Sequence, residues 1–188
     1  LNGNSIKNST PAVLKKLNIG CIPSERELDG IISDFSVAEN IILGRHRSDE
    51  LRSRLFLCKS KITEKAQKVI DNFNIMPNDP EISVSLLSGG NQQKVVLGRE
   101  QHEAPVVLIA CNPSRGVDII TINFLYTSLQ KLSGDGTGIL LILSDTDEAL
   151  SICDRIHVLY NGGITGDFLP EKTDAVELGY YMTGGRDD

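Results

Sequence analysis

The chain has 188 residues, 19 Lys and Arg against 25 Asp and Glu, and a formal charge of −6. That length fits one α/β domain, or a core with a subdomain, and a hydrophobic share of 40% supports a real apolar interior. The longest apolar run, Val106 to Cys111, falls far short of the ~20 residues that cross a bilayer, and the acidic balance runs against nonspecific nucleic-acid binding.

Taken in chain order, the opening Leu1-Asn2-Gly3 reads as the interior of a domain, with a turn signal at Asn2-Gly3, no initiator Met and no signal peptide. Ser9-Thr10-Pro11 starts a helix, and Ile19 to Ile22 is a buried strand that Pro23 ends. Residues 24–34 are polar and read as a loop. Ser36 with Glu39 has capping-box spacing for a helix over Val37 to Leu43. Residues 44–60 are charged and irregular. Ala66, Val69, Ile70 and Phe73 recur at helical spacing within Ile62–Phe73, and Asn78-Asp79-Pro80 is the expected break. Ser88-Gly89-Gly90 opens a helix running to about Glu103. Val106–Cys111 has the continuous apolar pattern of a parallel core strand. A helix over Thr121–Leu132, a turn at Gly134-Asp135-Gly136 and a second core strand over Ile139–Leu143 follow. A short helix over Thr146–Ile152, a strand over Arg155–Tyr160 and a hairpin turn at Asn161-Gly162-Gly163 complete the pattern. Alternating strands and helices imply an α/β layered core. Cys21, Cys58, Cys111 and Cys153 lie far apart with no CxxC pair, which fits reduced cytosolic thiols better than a zinc site or a disulfide framework.

The run Leu87-Ser88-Gly89-Gly90-Asn91-Gln92-Gln93-Lys94 is the most informative. Two glycines at a helix start remove Cβ atoms and let a ligand approach the backbone. The free N–H groups and the helix dipole favour an anion, and Ser88 adds a hydroxyl. Taken alone, the same residues are equally a capped helix and nothing more. The full run resembles the signature motif of ABC-transporter ATPases, in the form found in importers of simple sugars and nucleosides. Gly20-Cys21-Ile22-Pro23-Ser24-Glu25-Arg26 resembles that subfamily's Q-loop region, and Phe35-Ser36-Val37-Ala38-Glu39-Asn40 the start of its helical subdomain. Pro113-Ser114-Arg115-Gly116-Val117-Asp118 resembles the segment after Walker B and the D-loop. Ser144-Asp145-Thr146-Asp147-Glu148 falls where the switch-histidine segment belongs, and Asp154-Arg155-Ile156 through Gly162-Gly163-Ile164 resembles the last hairpin.

The resemblance implies a P-loop NTPase-like layered α/β core over about residues 1–29 and 104–170. It adds a helical subdomain over about 30–103 that includes the signature helix, and a C-terminal extension over 171–188. It also implies a P-loop, and no Gly-Lys pair occurs anywhere in the chain, so the P-loop portion is expected upstream of residue 1. Four positions depart from the family pattern. The Q-loop glutamine falls on Ser24, the Walker B acids on Cys111 and Asn112, and the switch histidine on Ser144. A thiol is a poor ligand for Mg²⁺, and an amide cannot take a proton from water. Cys111 reads as a small buried strand residue. His46, His102 and His157 stand isolated in the sequence and do not replace the missing imidazole. A Walker B placed instead at Ile139–Glu148 lies too far from the signature, and Asp147-Glu148 suit the first turn of a helix.

By the same resemblance, Ser88, Gly89, Gly90, Gln92 and the D-loop Asp118 would serve an ATP bound mainly by a second ABC ATPase domain, expected in the same polypeptide. ATP and Mg²⁺ would sit at that composite interface, with no metal held by this chain. The chain would then be the degenerate half of a cytoplasmic ATPase lying on the inner face of the membrane. Its partners would be transmembrane permease subunits and, indirectly, a solute-binding protein, and it would not hydrolyse ATP alone. Two other readings remain: an ABC-derived binding or scaffold protein without a transport role, and an unrelated enzyme using Cys111 chemistry.

Overall fold

The computed structural model describes residues 1, 3, 5–46, 48–53, 56–101 and 104–185. Asn2 of the opening turn, His102, and Glu103 at the expected helix end lie outside the described residues. The chain falls into two units, Leu1–Leu140 and Leu141–Asp188.

In the first unit, helix α1 (Pro11–Lys16) starts where Thr10 caps it, its hydroxyl accepting from the Val13 N–H at 3.4 Å. Strand β1 (Ile19–Ile22) follows as expected and ends at Pro23. The polar stretch beyond it is not a plain loop: Arg26–Gly30 winds one π-helical turn, closed by the Ile31 N–H donating to the Arg26 carbonyl at 2.8 Å. Helix α2 (Val37–Ile41) carries the capping box, with Glu39 N–H on Ser36 Oγ at 3.2 Å and Ser36 N–H on Glu39 Oε2 at 2.8 Å. It ends two residues before the expected Leu43. Asn40 is fully buried, and its amide exchanges hydrogen bonds with the N–H and carbonyl of Ile32 at 2.8 and 3.0 Å, locking residues 31–36 onto the helix.

The stretch expected to be irregular holds a 3₁₀ turn at Asp49–Leu51 and a minimal antiparallel pair, β2 (Arg52–Ser53) with β3 (Phe56–Leu57). The buried Leu51 anchors it. Helix α3 (Lys59–Phe73) begins three residues earlier than the apolar spacing suggested. It stops at Asn74, which takes the left-handed conformation at φ 47°, well before Asn78-Asp79-Pro80.

Helix α4 (Gly89–Gln101) is buried on nearly every side: Val95, Val96 and Leu97 are consecutive and all inaccessible. Strand β4 (Val107–Cys111) runs parallel to β1 in the register Ile19↔Val107 to Ile22↔Ala110. Helix α5 (Ile119–Gly134) buries the stripe Thr121, Leu125, Leu129 and Leu132. Strand β5 (Gly138–Ile142) completes the sheet in the order β1-β4-β5. The expected second core strand is thus an edge strand paired on one side only, and Leu140 remains 54% exposed. Helix α4 packs against α2, α3, α5 and β1.

The polar centre of this unit is Glu100, 2% exposed on α4. Its carboxylate accepts from Lys15 Nζ at 2.5 Å, Arg99 Nε at 2.9 Å and the Cys21 N–H at 3.2 Å. Arg99 in turn donates to the carbonyls of Gly30 at 2.7 Å and Asn40 at 3.4 Å. Burial pushes the Glu100 carboxyl up, but Arg99 and Lys15 outweigh it and hold it below the usual carboxylate value.

In the second unit, helix α6 (Thr146–Ile152) is capped by Asp145, whose carboxylate accepts the Glu148 N–H at 3.0 Å; Asp147 and Glu148 occupy its first turn. Strands β6 (Ile156–Tyr160) and β7 (Gly163–Phe168) form an antiparallel hairpin across Asn161-Gly162, both at positive φ, as an I′ turn requires. Helix α7 (Ala175–Met182), which the sequence left as an extension, is capped by Asp174 and packs Leu178 and Tyr181 on Ala149, Ile156 and Val158. Among the described residues no helix is long and apolar enough to cross a membrane.

Replacing Glu100 with Gln leaves the Arg99 guanidinium buried without its counter-charge. Denaturant unfolding at pH 7 should show a loss of about 3–5 kcal/mol. Because the folded-state value of Glu100 is depressed, its contribution is present above the ordinary carboxylate range and is lost as pH falls through that depressed value. The variant should therefore show a flatter acid limb than the parent protein.

Candidate functional site

Parallel strands β1 and β4 end side by side, and the segments that leave them, 24–30 and 112–118, emerge at the same edge of the sheet. In parallel sheets this carboxyl edge is where ligands are bound. The N-terminus of α4 arrives at the same place. Ser88 lies exposed just before the helix, its Oγ accepting from the Asn91 backbone N–H at 3.4 Å and the Asn91 side chain at 3.1 Å. Its hydroxyl proton is left to donate outward. The first N–H groups of a helix have no partners within it and carry the positive end of its dipole, so this exposed end suits an anion.

Arg26 organises the cluster. Its Nε donates to Gln92 Oε1 at 3.3 Å, and its Nη1 to the Arg115 carbonyl at 3.1 Å. Gln92 passes its own amide N–H groups to the carbonyls of Val84 and Leu87 at 3.2 and 3.4 Å. Gln93, buried, donates to the Pro113 carbonyl at 2.8 Å. Arg115 forms an ion pair with Glu25 across the mouth of the two segments. Asp118 caps α5, accepting the Thr121 N–H and hydroxyl, each at 2.9 Å. The Thr121 N–H, more than any other group, holds its carboxyl below the usual range.

The two glycines have a different physical basis from the one the sequence suggested. A Cβ on Gly89 would stand 2.6 Å from Arg26 Nη2 and 3.3 Å from the Gly116 carbonyl. On Gly90 it would stand 2.5 Å from Thr121 Oγ1 and 3.0 Å from Asp118 Oδ2. The protein's own side chains fill those directions, so the glycines make room for Arg26, Asp118 and Thr121.

The structure therefore sets Gln92 and Gly89 against Arg26, and Gly90 against Asp118 and Thr121, with Ser88 just before them. Ser24 is exposed between β1 and the π-helical turn. Cys111 ends β4 and is half-buried, not enclosed as expected, because the strand end meets the loop. Asn112 follows it at φ 41°. Ser144 lies exposed in the second unit, just before α6. His46 is exposed after α2, and His157 lies on β6 with Nδ1 3.5 Å from Asp167. Among the described residues no three His, Cys, Asp or Glu side chains are gathered as for a metal ion. An open cleft of about 430 Å³, lined by Asp34, Glu39, Lys59, Thr63 and Glu81, includes none of these residues. Arg26 was legible only as the last residue of the Gly20–Arg26 run; two adjacent glycines in need of a filler are the signal that could have pointed to it.

No protein-family model matches the chain. Over 98% of its length it is 35% identical to the nucleoside import ATP-binding protein NupA of Lactococcus lactis, of which it covers 37%. The guanosine import ATP-binding protein NupO of Bacillus subtilis is 35% identical over 98% of this chain and 36% of that protein. A ribose import ATP-binding protein, RbsA of Lactococcus lactis, is 36% identical over 99% of this chain and 37% of that protein. The chain thus spans little more than a third of these relatives. A dimeric ATP-binding cassette solved in a post-hydrolysis state with ADP and phosphate superposes with a TM-score of 0.71 at 19% identity, over 90% of this chain and 72% of that one. A nucleotide-free cassette from an ABC transporter gives 0.72 at 21% identity, over 90% and 68%.

Gly90→Ala should destabilise the protein by about 1–3 kcal/mol through overpacking. The loss should shrink in a Thr121→Ala background, where the 2.5 Å clash is gone; thermal melts of the single and double variants read this directly. In fold the chain matches ATP-binding cassettes, and along nearly its whole length its sequence is similar to import ATP-binding proteins for nucleosides and ribose.

Proposed function

We propose that this domain completes the ATP site of a second ABC ATPase domain and carries a degenerate site of its own. Its Ser88–Gly90 helix start, exposed at Ser88 and with Asp118 beside Gly90, would close over ATP and Mg²⁺ held mainly by the partner domain. The whole protein would be the cytoplasmic ATPase of an importer, peripheral on the membrane, working with transmembrane permease subunits and a solute-binding protein. Its solute would come from the simple-sugar or nucleoside class named for its relatives.

One contrast carries this reading: at one sheet edge, the anion-binding end of α4 is exposed and braced, while β4 ends in a thiol and an amide. The helix end fits phosphate oxygens, since it offers a hydroxyl and free N–H groups. Cys111 does not fit Mg²⁺, a hard cation that takes oxygen ligands, and Asn112 cannot act as a general base. With Ser24 and Ser144 also lacking the expected amide and imidazole, chemistry would be confined to the other domain's half.

In the assembled transporter, Ser88→Ala should reduce ATP turnover at least about tenfold, the scale on which one lost transition-state hydrogen-bond donor acts. The double change Cys111→Ala, Asn112→Ala should leave turnover within about twofold. A turnover assay on both variants decides the matter: loss with the second and none with the first would reverse the assignment.

A further inference from the structure

We infer that Arg26 is a positioning residue for the signature segment, aligning the α4 N-terminus with the loop that carries Asp118; this rests on the function proposed above. Arg26 lies outside the signature, and its side chain is only 15% exposed. Its guanidinium meets two elements, α4 through Nε and Nη2 and the 112–118 loop through Nη1. Nε reaches Gln92 Oε1 on α4 at 3.3 Å, and Nη1 reaches the Arg115 carbonyl, in the 112–118 loop, at 3.1 Å. Nη2 occupies the space a Gly89 side chain would need. Gly116, at φ +69°, also faces it, with a Cβ direction 3.5 Å from Nη1. A planar fork with fixed angles between its donors sets the distance between the helix start and the loop. A lysine ammonium carries the same charge but has no such fork, so it cannot hold both acceptors in one plane.

Because the helix start would act on ATP already held by the other half, its misalignment falls on the closed, reacting state. The expected signature is a lower kcat with a nearly unchanged KM. The test uses the full-length protein assembled with its permease subunits and three variants: Arg26→Lys, Ser88→Ala and the pair combined. Arg26→Lys should lower kcat about tenfold or more, keep the KM for ATP within twofold and leave the melting temperature essentially unchanged. Small displacements of positioning groups act on this scale. The combined variant should be no slower than Ser88→Ala alone, since both changes disable one device. If Ser88→Ala slows turnover while Arg26→Lys does not, the positioning role is wrong and the signature reading stands. Multiplicative losses in the combined variant overturn the role as well, since Arg26 would then act elsewhere. If Ser88→Ala has no effect, the underlying reading fails and takes the role with it. A role confined to folding would lower the melting temperature and leave turnover per folded molecule intact, which also overturns the proposal.

Discussion

The Glu100 carboxylate is the constraint on which the rest of the first unit depends. A charge at that depth persists only with its hydrogen-bonding capacity satisfied, and three separate elements satisfy it. Lys15 comes from α1, the Cys21 N–H from β1, and Arg99 from α4 itself. The bond to β1 fixes how far the helix stands from the sheet and which face it turns toward it. Arg99 then carries the constraint to Gly30 and Asn40, and so to the π-helical turn and α2. Such an arrangement adds little net stability over a packed apolar core, because desolvation offsets much of the attraction. What it selects is a unique placement, since a rotated α4 would strand two buried charges.

Placement at Glu100 matters because α4 is a rod. From Glu100 back to Gly89 is eleven residues, about 17 Å of helix at the usual rise. One end is held by the buried ionic cluster and the other by Arg26 and Gln92. The helix start is thereby set from two anchors, and the exposed Ser88 needs no partner beyond Asn91 to stay in place. The glycines belong to the same logic. With their Cβ directions taken by Arg26 and Thr121, the helix start is packed against the protein's own side chains, and Ser88 is its exposed residue.

Elements specified by neighbours in the sequence were legible from it. The Thr10-Pro11 start, the Ile19–Ile22 strand, the Ser36–Glu39 box and the Asn161-Gly162 turn depend on contacts no more than a few residues apart. The π-helical turn was not legible, because Arg26, which opens it, is held by partners 66 and 89 residues away. The end of α3 at Phe73 matches the apolar spacing, while its start at Lys59, three residues before Ile62, carries no apolar signal. The exposure of β5 falls on alternate residues, so one face of the strand is uncovered, and an apolar run does not encode which face is packed. At the site, the signature run was plain as a motif, whereas the reason for its glycines appears only when side chains distant in sequence are brought beside them.

The same geometry separates shape from chemistry at the end of β4. The path of the 112–118 loop is set by Gln93 on the Pro113 carbonyl, Arg26 on the Arg115 carbonyl, the Arg115 N–H on the Asn112 carbonyl at 3.0 Å, and Asp118 as the α5 cap. None of these bonds uses the side chain of Cys111 or Asn112. These bonds are therefore compatible with a thiol and an amide at the strand end. In the function proposed above, the same loop would present Asp118 beside the helix start to a neighbouring domain. The loop's path is set by backbone acceptors and by side chains that lie as many as 89 residues away in the sequence.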